Sequence, residues 1–306
     1  MAAMIALGLK PELIMDDQLL RIVYHRLFNS GKVPHPFNCI YSDATIAMIH
    51  LLAVLRDRSM RWAHDRRNWP IWMRRLPRPS YSQLMRRLQR PSLQQLIAQI
   101  SREYRDQLPH SAEKFCDGKP LVVGGFSKDP DVDRGKLPGE GWGRGYKVHV
   151  IVDSCGAIEA FAVTSLSAGE STTMRKLVKT AALDGVILRA DSNYDSNKLY
   201  RAVARRKGRL IASRKKPGTG LGHTKHHPDR LKAIEELERT DEALRAHRRH
   251  RIRVEQTLGH LTNLPFGLSP LPNCVRRKKR VTQWVTSKIL FYHLYLSLQK
   301  TKALAA

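Results

Sequence analysis

Cysteine is scarce and scattered: Cys39, Cys116, Cys155 and Cys274 lie far apart, and no two form a CxxC pair. This argues against a zinc site and against a disulfide framework, leaving free thiols in a reducing cytosol as the expectation. Long apolar runs are missing too. Residues 1–7 are apolar, but Lys10, Glu12 and the Asp16-Asp17 pair soon follow, so no signal peptide is read there. Residues 289–298 form an apolar stretch of 10 with His293 inside, against the roughly 20 residues a bilayer helix requires. That stretch reads as a buried core helix, and no membrane partner is expected. Gly139, Gly141, Gly143 and Gly145 alternate around Trp142 and Arg144 but lack the Gly-Lys-Ser/Thr ending of a nucleotide-binding loop, so no ATP dependence is expected. Acid is the remaining deficit. Asp and Glu total 27 against 54 Lys and Arg, a formal net charge of +27. Such an excess repels itself unless a polyanion neutralises it, and nucleic acid fits better than an anionic membrane or a ribosome.

What is present suffices for a real core. The 306 residues are 42% hydrophobic, enough for one large domain or a catalytic domain with a smaller companion. Residues 1–110 read as mainly helical. Ser42-Asp43-Ala44-Thr45 caps an apolar face of Ile46, Ile49, Leu51, Leu52 and Leu55. Arg56 to Arg90 holds 11 arginines and no lysine, with only Asp57 and Asp65 opposing them. Such a stretch is either a solvated basic face or a surface that positions phosphates without reading bases.

The pattern changes near residue 114. Residues 119–123 form a short apolar segment, followed by a loop rich in Gly, Asp and Pro. Residues 146–153 alternate Val148, Val150 and Val152 as a strand, Ser154-Cys155-Gly156 supplies a turn, and 157–164 returns as the second arm of a hairpin. A helix is expected over 171–182, a strand over 185–190 ending at Asp191, a helix over 196–207 and a strand over 208–213. Residues 214–230 are Gly-, His- and Lys-rich and read as a mobile segment. Helical signal covers 231–244 and 251–261, and a last helix 281–298. This order predicts an α/β, mixed-sheet domain over 111–306 behind a basic helical region over 1–110.

Three acids sit where local structure changes. Asp117 opens the first apolar segment, Asp191 closes a strand, and Glu255 follows Arg245, Arg248, Arg249, Arg251 and Arg253. Taken alone, Glu255 is well explained by a surface ion pair with one of those arginines. Carboxylates at strand ends, however, can converge beside a sheet without disturbing its interior. They also supply the hard oxygen ligands that hold divalent metal beside a phosphodiester.

The segment Cys116-Asp-Gly-Lys-Pro-Leu-Val-Val-Gly-Gly-Phe-Ser-Lys-Asp-Pro-Asp131 resembles the first catalytic block of DDE-type insertion-sequence transposases, in the broad group containing the IS4 and IS5 families. Gly145-Tyr-Lys-Val-His-Val-Ile-Val-Asp153 is similar to their second and third strands. Leu188-Arg-Ala-Asp-Ser-Asn-Tyr-Asp195 resembles the block with the second aspartate, and Arg251-Ile-Arg-Val-Glu-Gln-Thr-Leu-Gly-His-Leu261 the block with the glutamate. The blocks occur in the expected order across most of 114–300. The resemblance implies a ribonuclease H-like catalytic domain in which Asp117, Asp191 and Glu255 are both the catalytic residues and the metal ligands. It implies two Mg2+ ions, for which Mn2+ can substitute, and cleavage by water followed by joining through a DNA 3′ hydroxyl. The implied partners are double-stranded DNA with terminal inverted repeats and target DNA, bound by a homodimer or higher oligomer. A cytoplasmic, DNA-associated location follows. One subgroup carries Tyr-x2-Arg-x3-Glu-x6-Lys, but this chain has Arg248 and Thr262 at the outer positions and keeps only Arg251 and Glu255, which leaves the subgroup and its hairpin chemistry open.

Arg61, Arg66, Arg67, Lys147, His149, Arg251, Arg253, Arg276, Arg277 and Lys278 are the candidate DNA contacts. Lys147 and His149 share one side of a strand. Asp129, Asp131 and Asp133 lack calcium-loop spacing, and Asp153 sits at a turn where Asp is common. His223, His226 and His227 have no cysteine partner nearby for zinc. Two other readings stay open: a metal-dependent nuclease without joining activity, and an inactive DNA-binding protein of transposase descent.

Overall fold

The computed structural model describes residues 11–29, 40–125, 127–137, 139, 141–222, 225–264 and 267–305. His223 of the histidine cluster falls outside these. The chain forms two compact units, one of Met1–Gln107 with Asn263–Ala306 and the other of Leu108–Thr262. The C-terminal helix, expected to continue the 111–306 region, thus packs with the N-terminal helices.

In the first unit, α1 (Pro11–Phe28) packs on α2 (Asp43–Leu55). Ser42 caps α2 by accepting from the Thr45 amide, and every residue of α2 is buried. The basic stretch after it is broken into α3 (Met60–His64) and two 3-10 turns, Arg66–Asn68 and Ile71–Arg75. A capping box between Ser80 and Gln83 starts α4 (Tyr81–Arg87), and a proline in the first turn starts α5 (Pro91–Arg105). The final helix, α10 (Lys278–Ala305), packs along α5 and also meets α2. Buried polar groups tie these helices, His50 to Ser287 at 3.1 Å and Ser101 to His293 at 3.0 Å, and the buried Lys288 reaches the half-buried Asp57 just after α2 at 2.9 Å. Among the described residues, no helix is long and apolar enough to cross a membrane.

The second unit is an open six-stranded sheet of β1 (Glu113–Val122), β2 (Asp133–Leu137), β3 (Gly141–Asp153), β4 (Ile158–Ser165), β5 (Ile187–Ala190) and β6 (Arg209–Ala212). The long β3 is antiparallel to β1 along one edge and to β2 and then β4 along the other. Strands β1, β5 and β6 are parallel. This mixed, open sheet, preceded by helices, is the ribonuclease H-like arrangement. Helices α6 (Glu170–Leu177), α7 (Asn197–Ala204) and α8 (Pro228–Glu238) contribute Met174, Leu177, Leu199, Val203 and Ala233 to one core with Cys116, Ile151 and Leu188 of the sheet. The long α9 (Asp241–Asn263) follows.

Two sequence expectations change here. The first strand begins at Glu113 rather than residue 119, because Phe115 and Cys116 are buried and paired with β3, so Asp117 lies within β1. The glycines at 141, 143 and 145 belong to β3. A side chain at Gly145 has no room: an added Cβ would sit 2.2 Å from the Leu121 carbonyl oxygen. Gly145→Ala is therefore expected to destabilise the second unit by at least about 1–3 kcal/mol, as overpacking does. At Gly125 an added Cβ meets nothing within 4 Å, so Gly125→Ala should stay within about 0.5 kcal/mol. Urea melts of both variants check the contrast.

Candidate active site

The parallel pairing of β1 with β5 sets the site. Its register matches Phe115 to Arg189, and carrying it two residues onward sets Asp117 opposite Asp191. Asp191 thus stands just past the carboxyl end of β5, where open α/β sheets place ligands, and Asp117 lies beside it within β1. Asp117 accepts from the Gly118 amide at 2.7 Å, and Asp191 accepts from the Asn193 amide at 2.8 Å. Burial, together with the neighbouring Asp191 and Glu170 charges, pushes the Asp117 carboxyl up to about 6; the Gly118 amide and Arg251 oppose this. Burial also raises Asp191, with Glu170 adding and Asn193, Arg251 and Lys215 opposing. Like charges forced together in a partly dry site want either a proton or a cation.

Helix α9 brings the cation side. The Arg251 guanidinium is 4.0 Å from Asp117, and its Nε is buried without a hydrogen-bond partner among the described residues. One turn earlier, the buried His247 donates from Nε2 to the Ala190 carbonyl at 3.1 Å. The next residue after that carbonyl is Asp191, so His247 pins α9 to the strand end. Burial pushes His247 down to about 4, which keeps the imidazole neutral in this role. His250 adds a contact to Glu113 at 3.2 Å, and Glu113 also pairs with Arg189.

The structure does not gather all the expected residues. Glu255 is exposed on α9, four residues beyond Arg251, and the charges acting most strongly on Asp117 are Asp191, Arg251 and Glu170. Among the described residues, no group of three or more His, Cys, Asp or Glu side chains is arranged to hold a metal. The donor chemistry of Asp117 and Asp191 nevertheless fits a hard divalent cation. His149, expected to face phosphate, is instead fully buried, with Nε2 at 3.0 Å from Thr164 Oγ1. Inward-facing positions of a two-faced strand are screened by the layer that covers them, so this histidine serves packing. Lys147 is partly buried and pairs with Glu170 at 2.9 Å.

Of the remaining candidates, Arg61, Arg66, Arg67, Arg253 and Lys278 are exposed. Arg61 lies 5.6 Å over the Tyr81 ring, Arg66 donates to the Arg74 carbonyl, and Arg67 pairs with Asp65. Arg277 is exposed as well, whereas Arg276 is half-buried and donates to the Pro272 and Val275 carbonyls. His226 and His227 serve local structure: His226 contacts the Leu221 carbonyl and His227 caps α8. Sequence reasoning missed Glu170, which opens α6 one residue before the helix was expected to start and looks like an ordinary first-turn acid.

The transposase DDE domain family matches residues 115–294. No curated protein matches the chain. Among solved structures, the chain is similar to the cryo-EM structure of the piggyBac transposase synaptic complex with hairpin DNA, at 13% identity and a TM-score of 0.48, with 95% of this chain and 73% of that chain covered. With more than half of its length matched, from Phe115 in β1 to Leu294 in the final helix, the chain belongs to the family of transposase DDE domains.

Proposed function

We propose that the protein is a DNA transposase that binds element-end DNA and carries out metal-dependent phosphodiester cleavage and strand transfer. The observation that carries this reading is the closeness of the Asp117 and Asp191 carboxylates, one within β1 and the other directly after its parallel neighbour β5. Family membership and the net charge of +27 support it. The two aspartates would hold Mg2+, or Mn2+ in its place, and Glu255 is the proposed third ligand. Divalent metal held there would supply Lewis-acid chemistry for the attacking and leaving oxygens of an in-line displacement. Arg251 offers its guanidinium beside Asp117 to the scissile phosphate, where planar donors suit phosphate oxygens. No side chain needs to become covalently attached. Within the transposases, the resemblance of the four segments and their order favour the broad IS4/IS5-like group. The proposed substrates are double-stranded ends bearing inverted repeats and target DNA, held by a dimer or larger assembly. The division of labour proposed is DNA binding by 1–110 and chemistry within 111–306.

The test uses the DNA flanking the gene on both sides as substrate, where inverted repeats are expected, with Mg2+ and a target plasmid. Nicked and joined products are expected from the wild-type chain, and neither from Asp191→Asn. Nicking that survives in Asp191→Asn sinks the assignment. Nicking without joining, even from a precut 3′ hydroxyl end, would instead favour the nuclease reading.

A further inference from the structure

Beside the two aspartates runs an open groove of about 720 Å3. Gly118, directly after Asp117, forms part of its wall, as do Asn193, two residues after Asp191, and Lys215, whose charge acts on Asp191. The groove is therefore continuous with the candidate active site. Three lysines line it: Lys136 on β2, Lys147 on β3, and Lys215 after β6. Lys136 and Lys215 are exposed, and neither has an ion-pair partner among the described residues. Glu170 is the acid in the wall, and it is engaged by Lys147. The floor beside Asp117 is open because residue 118 is a glycine. An added Cβ there would lie 3.2 Å from the Lys147 side chain and 3.4 Å from Glu170 Oε1.

The lining identifies the class of ligand. No aromatic side chain lines the groove among the described residues, so it has no platform for stacking a base. Instead it presents lysines and hydroxyl groups, the donors that contact phosphate and sugar oxygens. We propose that this groove seats the sugar–phosphate backbone of the DNA strand flanking the phosphate that reacts at Asp117 and Asp191. Lys136, Lys147 and Lys215 contact successive phosphates, and Glu170 is a positioning residue that holds Lys147 in the wall. Because the contacts go to backbone, the groove fixes the strand's path without reading its sequence. This inference rests on the transposase reading, and it locates where that reading places one flank of the substrate.

Salt dependence measures it directly. Each phosphate contact removed lowers the slope of log affinity against log salt by about 0.7–0.9. In an Asp117→Asn background, which prevents cleavage, the Lys136→Ala/Lys147→Ala/Lys215→Ala variant should bind duplex DNA with a slope smaller by about 2–3. The loss should be the same for unrelated DNA sequences. The Lys136→Ala/Lys215→Ala variant leaves the Lys147–Glu170 pair intact and should lose about 1.4–1.8, by the same rule. Replacing the exposed Lys176, Lys179 and Lys207 removes equal charge outside the groove and should change the slope by less than 1. Equal losses from the groove and control variants overturn the proposal, as does an unchanged slope in the groove variants. A free mononucleotide that binds the wild type, with binding lost in the groove variants while their DNA slope is kept, also overturns it in favour of a small-molecule site. The transposase reading fails separately, if the wild type neither nicks nor joins.

Discussion

Asp117→Asn is expected to abolish metal-dependent cleavage and at the same time to raise the melting temperature of the metal-free protein. The two effects share one cause. Burial and two nearby carboxylates hold Asp117 at about 6, above its usual 3.8. The native state therefore binds more protons than the unfolded chain between about pH 4 and pH 6, and stability from this group falls as pH rises through that window. Above it, the ionised carboxylate carries its full cost. The gap corresponds to at most about 3 kcal/mol at neutral pH, less what solvent reaching the partly exposed side chain recovers. Asparagine keeps the size and the acceptor for the Gly118 amide but removes the charge. A gain of about 1–3 kcal/mol is expected, and at about 2–4 °C per kcal/mol for a unit of this size this is several degrees.

Metal should reverse the ranking. Mg2+ bound by the folded state alone stabilises it by mass action, so the wild type should rise with added Mg2+ while Asp117→Asn should not. Protons compete for the same oxygens, so metal binding should weaken as pH falls through about 6. Thermal melts of both proteins at pH 7.5 and pH 5, with and without Mg2+, read all of this. A variant that melts like the wild type and responds equally to Mg2+ would show that Asp117 is neither strained nor a ligand.

Arg87→Met should be the most damaging single change in the helical unit. Arg87 and Asp43 are both nearly inaccessible and form a direct ion pair, and Arg87 also donates to the Tyr41 carbonyl at 2.9 Å. Removing the guanidinium leaves the Asp43 carboxylate buried with, among the described residues, the Ser92 hydroxyl at 3.2 Å as its side-chain donor. Stranding one partner of a buried pair costs about 3–5 kcal/mol. Removing both charges in Arg87→Met/Asp43→Asn should recover much of that loss, since the desolvation cost goes with the charge. Urea denaturation followed by circular dichroism measures both. A loss below about 1 kcal/mol for the single variant would mean that water reaches Asp43 and the pair is dispensable.

Some of this architecture could be read from neighbouring residues alone. The cap at Ser42, the alternation Val148, Val150, Val152 and the strand closing at Asp191 are local patterns, and each appears as expected. β2 was not legible, because Asp-Arg-Gly-Lys-Leu is polar and its extended state comes from pairing with β3. The 214–230 segment was read as mobile, yet Arg214 pairs with Glu238 and Arg230 with Asp195 across the fold, contacts whose partners lie far along the chain.

The sequence by itself determined the mixed α/β class, the basic character, and the three acids in ordered blocks. It also determined that Asp191 ends a strand, because strand and helix periods are set by residues two to four apart. Only the tertiary structure decided that β1 and β5 are parallel neighbours, which makes Asp117 and Asp191 a pair. It also brought Glu170 and Arg251 to them, buried His149, and left Glu255 exposed. Strand order and register depend on which distant surfaces bury each other, and no local period records that choice.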